Sequence, residues 1–387
     1  MELDKDLEVL RRKFLGGVAA AAAAYIAGGD APPPLSAEGL EVIRADLAAG
    51  WRHFQAGSTA EIEQVTALDA DRLVRALREA PESSKLYRPL AAATTEAAAL
   101  AGAVAGDQGD RASAIHWHQT STLAAKQARN ADLVCLTLED QAWVAEFLGD
   151  NDRALALLSR MPVKHASPAS LARVELGRAQ LLAVAGNLHG AMTALDDAAA
   201  AGARAGGEIA PLPRPPVTEA RLAWIKGYML IDLGIEIGYQ TLRPVLRAPD
   251  VSERNKGIAH VFMARSSVQT GAIDRACDHA SKAYQILTAI GSPGQLMRVT
   301  RFVDRDLAGF TKVRAVRDLD EQVRTGATSR YVLCRTSGEG TKVHLRSCGY
   351  ARRGGARPWS AGEHLDPAEV AASPLRHGFE LCTRCLS

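Results

Sequence analysis

Aromatic rings are scarce in this chain. Phe, Trp and Tyr make up 5% of its 387 residues, while 47% of the residues are hydrophobic. The apolar mass is therefore mostly alanine and leucine, which suits closely packed helices. A charge of one sign is missing too. The net charge is +2, so no global field directs the protein to nucleic acid or to a membrane. The chain contains no Walker phosphate loop, no HExxH metal-protease helix and no nucleophile elbow. Gly338-Glu339-Gly340 lacks the rest of a dinucleotide fingerprint. Acidic and basic residues look like solvated helix faces rather than an acid–base or nucleophile constellation. These absences point away from an enzyme, and no catalytic residue is singled out. An even spread of cysteine is also lacking. Cys135 and Cys277 stand alone inside helices, whereas Cys334, Cys348, Cys382 and Cys385 crowd into the tail. A disulfide framework would spread its thiols across the fold, so the clustering reads as a metal site in a reducing compartment.

What the chain has instead is a recurring punctuation mark. Glycine is followed five residues later by alanine at Gly109 and Ala114, Gly149 and Ala154, Gly186 and Ala191, and Gly271 and Ala276. In the third and fourth, another alanine comes seven on, at Ala198 and Ala283. The first has the comparably small Ser121 there, and the second has Met161. Two antiparallel helices joined by a tight turn need glycine where the first stops, because it reaches left-handed angles cheaply. They need small residues where their backbones approach. The pattern resembles the turn and second helix of the tetratricopeptide repeat. Glycine-to-glycine spacings of 40 and 37 residues suit a helical solenoid, and the 85 between Gly186 and Gly271 leave room for two more units. The family's first-helix signature of tryptophan, leucine-glycine and tyrosine is largely missing. The fold expected is mostly α: a TPR-like helical-hairpin solenoid over residues 36–327, followed by a small α+β zinc-stabilised module over 328–387.

Residues 1–35 are expected to be an alanine-rich helix and a proline linker. Arg11-Arg12-Lys13-Phe14-Leu15 before an apolar run resembles a twin-arginine export signal. Against export stand Glu2, Asp4, Asp6 and Glu8, where a signal has a basic start, and Pro32 just after the only small-residue cleavage site. The run is alanine-rich and too short to span a bilayer. Regulators of actinobacterial appearance that join a helix-turn-helix domain to tetratricopeptide-like repeats carry a similar arginine pair at the junction. The chain resembles them over roughly residues 8–310, with no DNA-reading domain ahead of the pair. That resemblance implies a regulatory or scaffolding role in a bacterial cytoplasm.

Ser36 caps a first helix carrying Leu40, Ile43, Leu47, Trp51 and Phe54, and a second follows over 58–77. Further helices are expected at about 84–105, 111–129, 131–148, 152–160, 168–185 and 188–203. A proline-rich stretch at 201–216 interrupts the array, read as a linker, with a loop lining the concave face as the alternative. Helices resume at 217 and continue through 252–270, 272–290 and 293–309. His116 and His118 flank Trp117 and point to different faces of one helix, so they cannot share a metal.

From Thr328 the texture changes. Residues 330–335 and 341–345 read as a hairpin around Ser-Gly-Glu-Gly. Asp366, Pro367 and Glu369 start a brief helix. His344, Cys348, Cys382 and Cys385 offer one imidazole and three thiolates, a closed tetrahedral set of the kind structural zinc takes. The order of hairpin, His-x3-Cys, helix and Cys-x2-Cys is similar to a small zinc module at the ends of some bacterial nucleases and competence proteins. Val343 stands where those modules have tyrosine. Cys334 is an alternative to His344 as ligand, and His364 and His377 fit less well. Nine Lys or Arg against five Asp or Glu make the tail basic from Arg330 onward, which keeps nucleic-acid contact open as an alternative. The partner expected first is a peptide or protein on the concave face of the array. No membrane partner is expected. An exported binding or assembly factor is the alternative in another compartment.

Overall fold

The computed structural model describes residues 36–328 apart from 58, 148–149, 207–216 and 250. Beyond Thr328 it describes the backbone of four short strands. The readings of residues 1–35, of Gly149 and of the brief helix near Asp366 fall outside the described residues.

Among the described residues, fourteen α-helices make up the array. They are α1 (Ala37–Ala56), α2 (Thr59–Glu79), α3 (Tyr87–Gln108), α4 (Arg111–Ala128), α5 (Ala131–Phe147), α6 (Asn151–Ser159) and α7 (Pro168–Val184). After these come α8 (Leu188–Ala205), α9 (Glu219–Asp232), α10 (Ile237–Leu242), α11 (Glu253–Gln269), α12 (Ile273–Ala289), α13 (Pro293–Arg301) and α14 (Arg314–Thr328). Local chemistry sets many of the starts. Ser36, Asp110, Asp150, Ser167, Asn187, Thr218 and Ser252 each accept a hydrogen bond from a backbone N–H three residues on, satisfying a donor the helix itself leaves open.

Residues 36–328 thus form an all-helical, repeat-like array among the described residues, and the glycine–alanine punctuation explains its hairpins. Gly109, Gly186 and Gly271 have φ of 84°, 77° and 73°, and each ends a helix in the left-handed region. Among the described residues, no atom beyond the chain neighbours and the helix's own backbone lies within 4 Å of where a Cβ would stand at any of the three, so the glycine is there for its angles and not for space. The alanines serve the other need. Ala114, Ala154, Ala191 and Ala276 are all buried, as are Ala198, Ala283 and Ser121 at the second small position.

The interval between Gly186 and Gly271 is divided by Gly234, which has φ of 74° and separates α9 from α10. Tyr239 stands five residues after Gly234, where the pattern has alanine. The small residue is Gly238, where an added Cβ would come 2.6 Å from the Gly227 carbonyl oxygen. Helix α8 runs on to Ala205, so the linker is shorter than the composition suggests. The expected helix over 293–309 breaks at Arg301 into a π-helical segment, Phe302–Asp306, and a short 3-10 turn. Helix α14 lies beyond the expected helices, and its apolar stripe places Val316, Leu319 and Val323 in the core.

Odd-numbered helices pack side by side, each against the next, from α1 to α13. The even helices make their main contacts with the odd ones, and only α12 and α14 pack closely on each other. A row packed tightly on one side and splayed on the other must curve, so the odd helices form the inner wall. Four successive apolar clusters fill the space between inner and outer rows, with Trp51, Leu100, Leu136, Tyr228, Met263 and Phe302 among their most enclosed side chains.

The curve then returns on itself. The N-terminal ends of α11 and α13 abut the C-terminal ends of α1 and α3. An added Cβ at Gly294 would come 2.3 Å from the Gly106 carbonyl oxygen, so only glycine lets α13 start there. Beyond α14, β1 (Tyr331–Arg335) pairs antiparallel with β2 (Thr341–Leu345), flanked by β3 (Arg357–Pro358) and β4 (Glu380–Leu381).

Candidate functional site

The polar chemistry of the described residues concentrates on the inner row and on the seam where the curve returns. At the seam, Asp107 at the end of α3 receives four donors. Arg254 of α11 gives two, Nε at 3.0 Å and Nη2 at 3.1 Å. The hydroxyls of Ser292 and Thr59 donate at 2.5 Å and 2.8 Å. Arg254 also donates to the Phe54 carbonyl, and its guanidinium lies 4.1 Å from the centre of the Phe54 ring. Gln108 donates to Thr59 Oγ1 at 2.6 Å. A buried ion pair this completely bonded ties five elements together, which makes it structural in character.

Along the inner row, ion pairs join successive odd helices. Glu139 of α5 holds Arg173 of α7 through bonds of 3.0 and 3.3 Å. Asp232 of α9 pairs with Arg265 of α11, which lies 3.6 Å from Asp306 of the π-helical segment. Between these stand Glu146 at the end of α5 and Tyr228 of α9. Burial pushes the Glu146 carboxyl up, and Arg298, Arg301 and Arg265 oppose the shift. Burial also raises the Tyr228 hydroxyl well above its ordinary range, with Glu146 and Asp232 adding to it. Neither Glu146 Oε2 nor the Tyr228 hydroxyl has a hydrogen-bond partner among the described residues. Asp232 is pushed up by burial as well, against the pull of Arg265.

A separate polar group lies between α10, α11 and α12. His260 and His279 face each other with their Nδ1 atoms 2.9 Å apart, and the Tyr239 hydroxyl sits 3.0 Å from His279 Nε2. Burial takes both histidines down to about 4, and Lys282 pushes the same way on each. Nothing in the spacing of His260 and His279 signalled this meeting, because it depends on how two helices of one hairpin face each other.

The residues expected to hold metal fall largely outside what is described. His344 lies in β2 opposite Val332, and Cys334 lies in β1 opposite Lys342. Cys348, Cys382 and Cys385 are outside the described residues, as are all side chains of the tail. Among the described residues no group of three or more His, Cys, Asp and Glu converges on a metal position. Cys135 and Cys277 are buried, and burial raises their thiols to about 12 and about 11. His118 is buried against Gly102 and lies 4.0 Å from the Asp140 carboxylate. His116 sets its ring edge-on to Trp117, so the two histidines go separate ways. Among the described residues no helix is long and apolar enough to cross a membrane.

No known protein family, curated protein or solved structure matches the chain.

Proposed function

We propose that the chain is a non-enzymatic interaction protein, a regulator or scaffold of a bacterial cell. In this reading the helical array holds a peptide or partner protein, and His344, Cys348, Cys382 and Cys385 bind a structural zinc that stabilises the tail. The observation that carries the reading is the continuous inner row from α1 to α13, fixed by the Asp107–Arg254 seam. A surface held in place before a partner arrives loses little ordering entropy on binding. Four thiols clustered near the end of the chain support the zinc, since a module so small has little core of its own.

Photo-crosslinking from the full chain in native host cells tests the role. Benzoylphenylalanine replaces Thr300, exposed beside Arg301 on α13, or Leu123, exposed on the outer helix α4. The reading expects one discrete protein crosslinked at the Thr300 position and none at the Leu123 position. Absence of any crosslinked protein at the Thr300 position would remove it.

A further inference from the structure

His260 of α11 and His279 of α12 meet across the hairpin that turns at Gly271. Their Nδ1 atoms are 2.9 Å apart and their ring centres 5.1 Å. That centre-to-centre distance is close to the most that such a nitrogen separation allows, so the two nitrogens point at each other almost along one line. Such a line has room for one proton. One imidazole donates its Nδ1–H and the other accepts, and the Tyr239 hydroxyl, 3.0 Å from His279 Nε2, turns to suit either arrangement. A second proton sets two N–H groups and two positive charges face to face, and the hydrogen bond is lost.

Both arms of this hairpin run on from the histidines into the seam. Arg254 stands on α11 toward its start, and Ser292 follows just after the end of α12. Arg254 Nε and Ser292 Oγ donate to the same atom, Asp107 Oδ1, at 3.0 Å and 2.5 Å. Beside them Ile290 closes on Gly57, where an added Cβ would come 2.5 Å from the Ile290 Cβ. Two donors that share one acceptor atom cannot both stay on it when the helices leading to them move apart.

We propose that the facing histidines are an acid-operated latch: a second proton on the pair parts α11 from α12, and the array opens at the Asp107 seam. The latch acts without a partner and so goes beyond the peptide-holding role. The surroundings give the second proton little compensation. Burial lowers both imidazoles to about 4, Lys282 adds to this on each, and His260 and Arg275 add to it on His279. Asp278 alone favours charge, on His279. Helix α10 faces the pair with the Tyr239 hydroxyl, and α14 meets α12 through Gln322 on Ser281. The charged contacts of α11 with its other neighbours lie elsewhere along it: Asp107 of α3 on Arg254, and Asp232 of α9 with Asp306 on Arg265. Parting the helices lets water reach the rings, which then take protons near the ordinary 6.5. Between 6.5 and about 4 the closed form binds fewer protons than the open one, so acid favours opening across that window.

Small-angle scattering and far-ultraviolet circular dichroism of the full chain, from pH 7.5 to 4.5, test the latch. The wild type is expected to grow in radius of gyration below pH 6.5 while its helical signal holds, and to contract again on return to pH 7.5. His260→Asn with His279→Gln has no ring to titrate there and should keep its radius throughout. Should that variant fail to fold, His260→Asn alone, whose amide oxygen can accept the His279 Nδ1–H, takes its place and should expand less than wild type. A wild type that keeps its radius down to pH 4.5 overturns the latch. Equal expansion of wild type and variant also overturns it, because acid then acts elsewhere in the chain. Expansion that comes only with loss of the helical signal does the same, since the chain is then unfolding and not opening.

Discussion

Asp107 and Arg254 are 147 positions apart in sequence, yet they share two hydrogen bonds of 3.0 and 3.1 Å in the buried seam. That pair joins the third helix to the eleventh. The Asp107 carboxylate also lies at the N-terminal end of α13, where Ser292 donates to it and helix dipoles favour an anion.

The first prediction concerns this seam. Removing one partner strands the other as a buried, uncompensated charge, which typically costs about 3–5 kcal/mol. Arg254→Ala should therefore lower the denaturant midpoint strongly. It should also loosen the contact of α11 and α13 with α1 and α3, seen as a larger radius of gyration in small-angle scattering. Asp107→Leu with Arg254→Met removes both charges together and should recover much of the loss. An Arg254→Ala protein as stable and as compact as wild type would mean that the seam does not hold the array closed.

A second prediction tests the repeat. Ala191 and Ala276 are both 0% exposed at helix crossings, so neither site has room for a larger side chain. Ala191→Leu or Ala276→Leu should destabilise by about 1–3 kcal/mol through overpacking. Leu188→Ala, at a residue that is 42% exposed, should change the melting temperature little. Wild-type stability in both leucine variants would break the link between the glycine–alanine pattern and close helix crossings.

The third prediction concerns metal. The full chain, purified under reducing conditions, should carry about one zinc per molecule, in line with a single four-ligand structural site. Cys382→Ser or Cys385→Ser should abolish it while the helical circular dichroism and melting of the array persist, because the array has its own core. Cys334→Ser should keep the metal and His344→Ala should lose it. The reverse pair of results would make the site a four-cysteine one. Cys135 and Cys277 will not compete, since buried thiols raised to about 12 and about 11 supply little thiolate.

The array was legible because its rules are local. Gly109 and Ala114 mark a turn and a crossing within six residues, and the structure uses both as the pattern implies. The Gly234 turn does not fit the glycine–alanine pattern because Gly238, and not an alanine, makes the close crossing there. Helix α14 carries little signal in the sequence, because its 15 residues are mostly polar and its apolar positions are few. The seam was invisible for a different reason. Asp107 and Arg254 look like ordinary surface charges in sequence, and only the accumulated curvature of the hairpins brings them together. The inner cluster is non-local in the same sense, because Glu146 of α5 meets Tyr228 and Asp232, which stand four residues apart on α9.

The last prediction follows from His260 and His279. The groups acting on the pair are Tyr239 from α10, and Lys282, Arg275 and Asp278 from α12; only Asp278 favours the protonated form. Both folded pKa values stand near 4, below the ordinary value of 6.5 for an exposed imidazole. Between those values the unfolded chain binds more protons than the folded one, so stability rises with pH across that window. The contribution is complete above about 6.5 and is lost as pH falls toward 4. Carboxyl groups that are pushed up by burial, such as Glu146 and Asp232, act in the opposite direction near their own ranges, so the histidine contribution must be isolated by difference. Urea midpoints measured from pH 4.5 to 7.5 for wild type and for His260→Asn with His279→Gln supply that difference. Wild type should lose more stability than the variant between pH 6.5 and 4.5, and the two curves should run parallel above pH 7. Parallel curves throughout would show that the facing imidazoles are not held neutral by the fold. A variant that loses more stability than wild type on acidification would reverse the sign and place the histidines in an acid-favouring site.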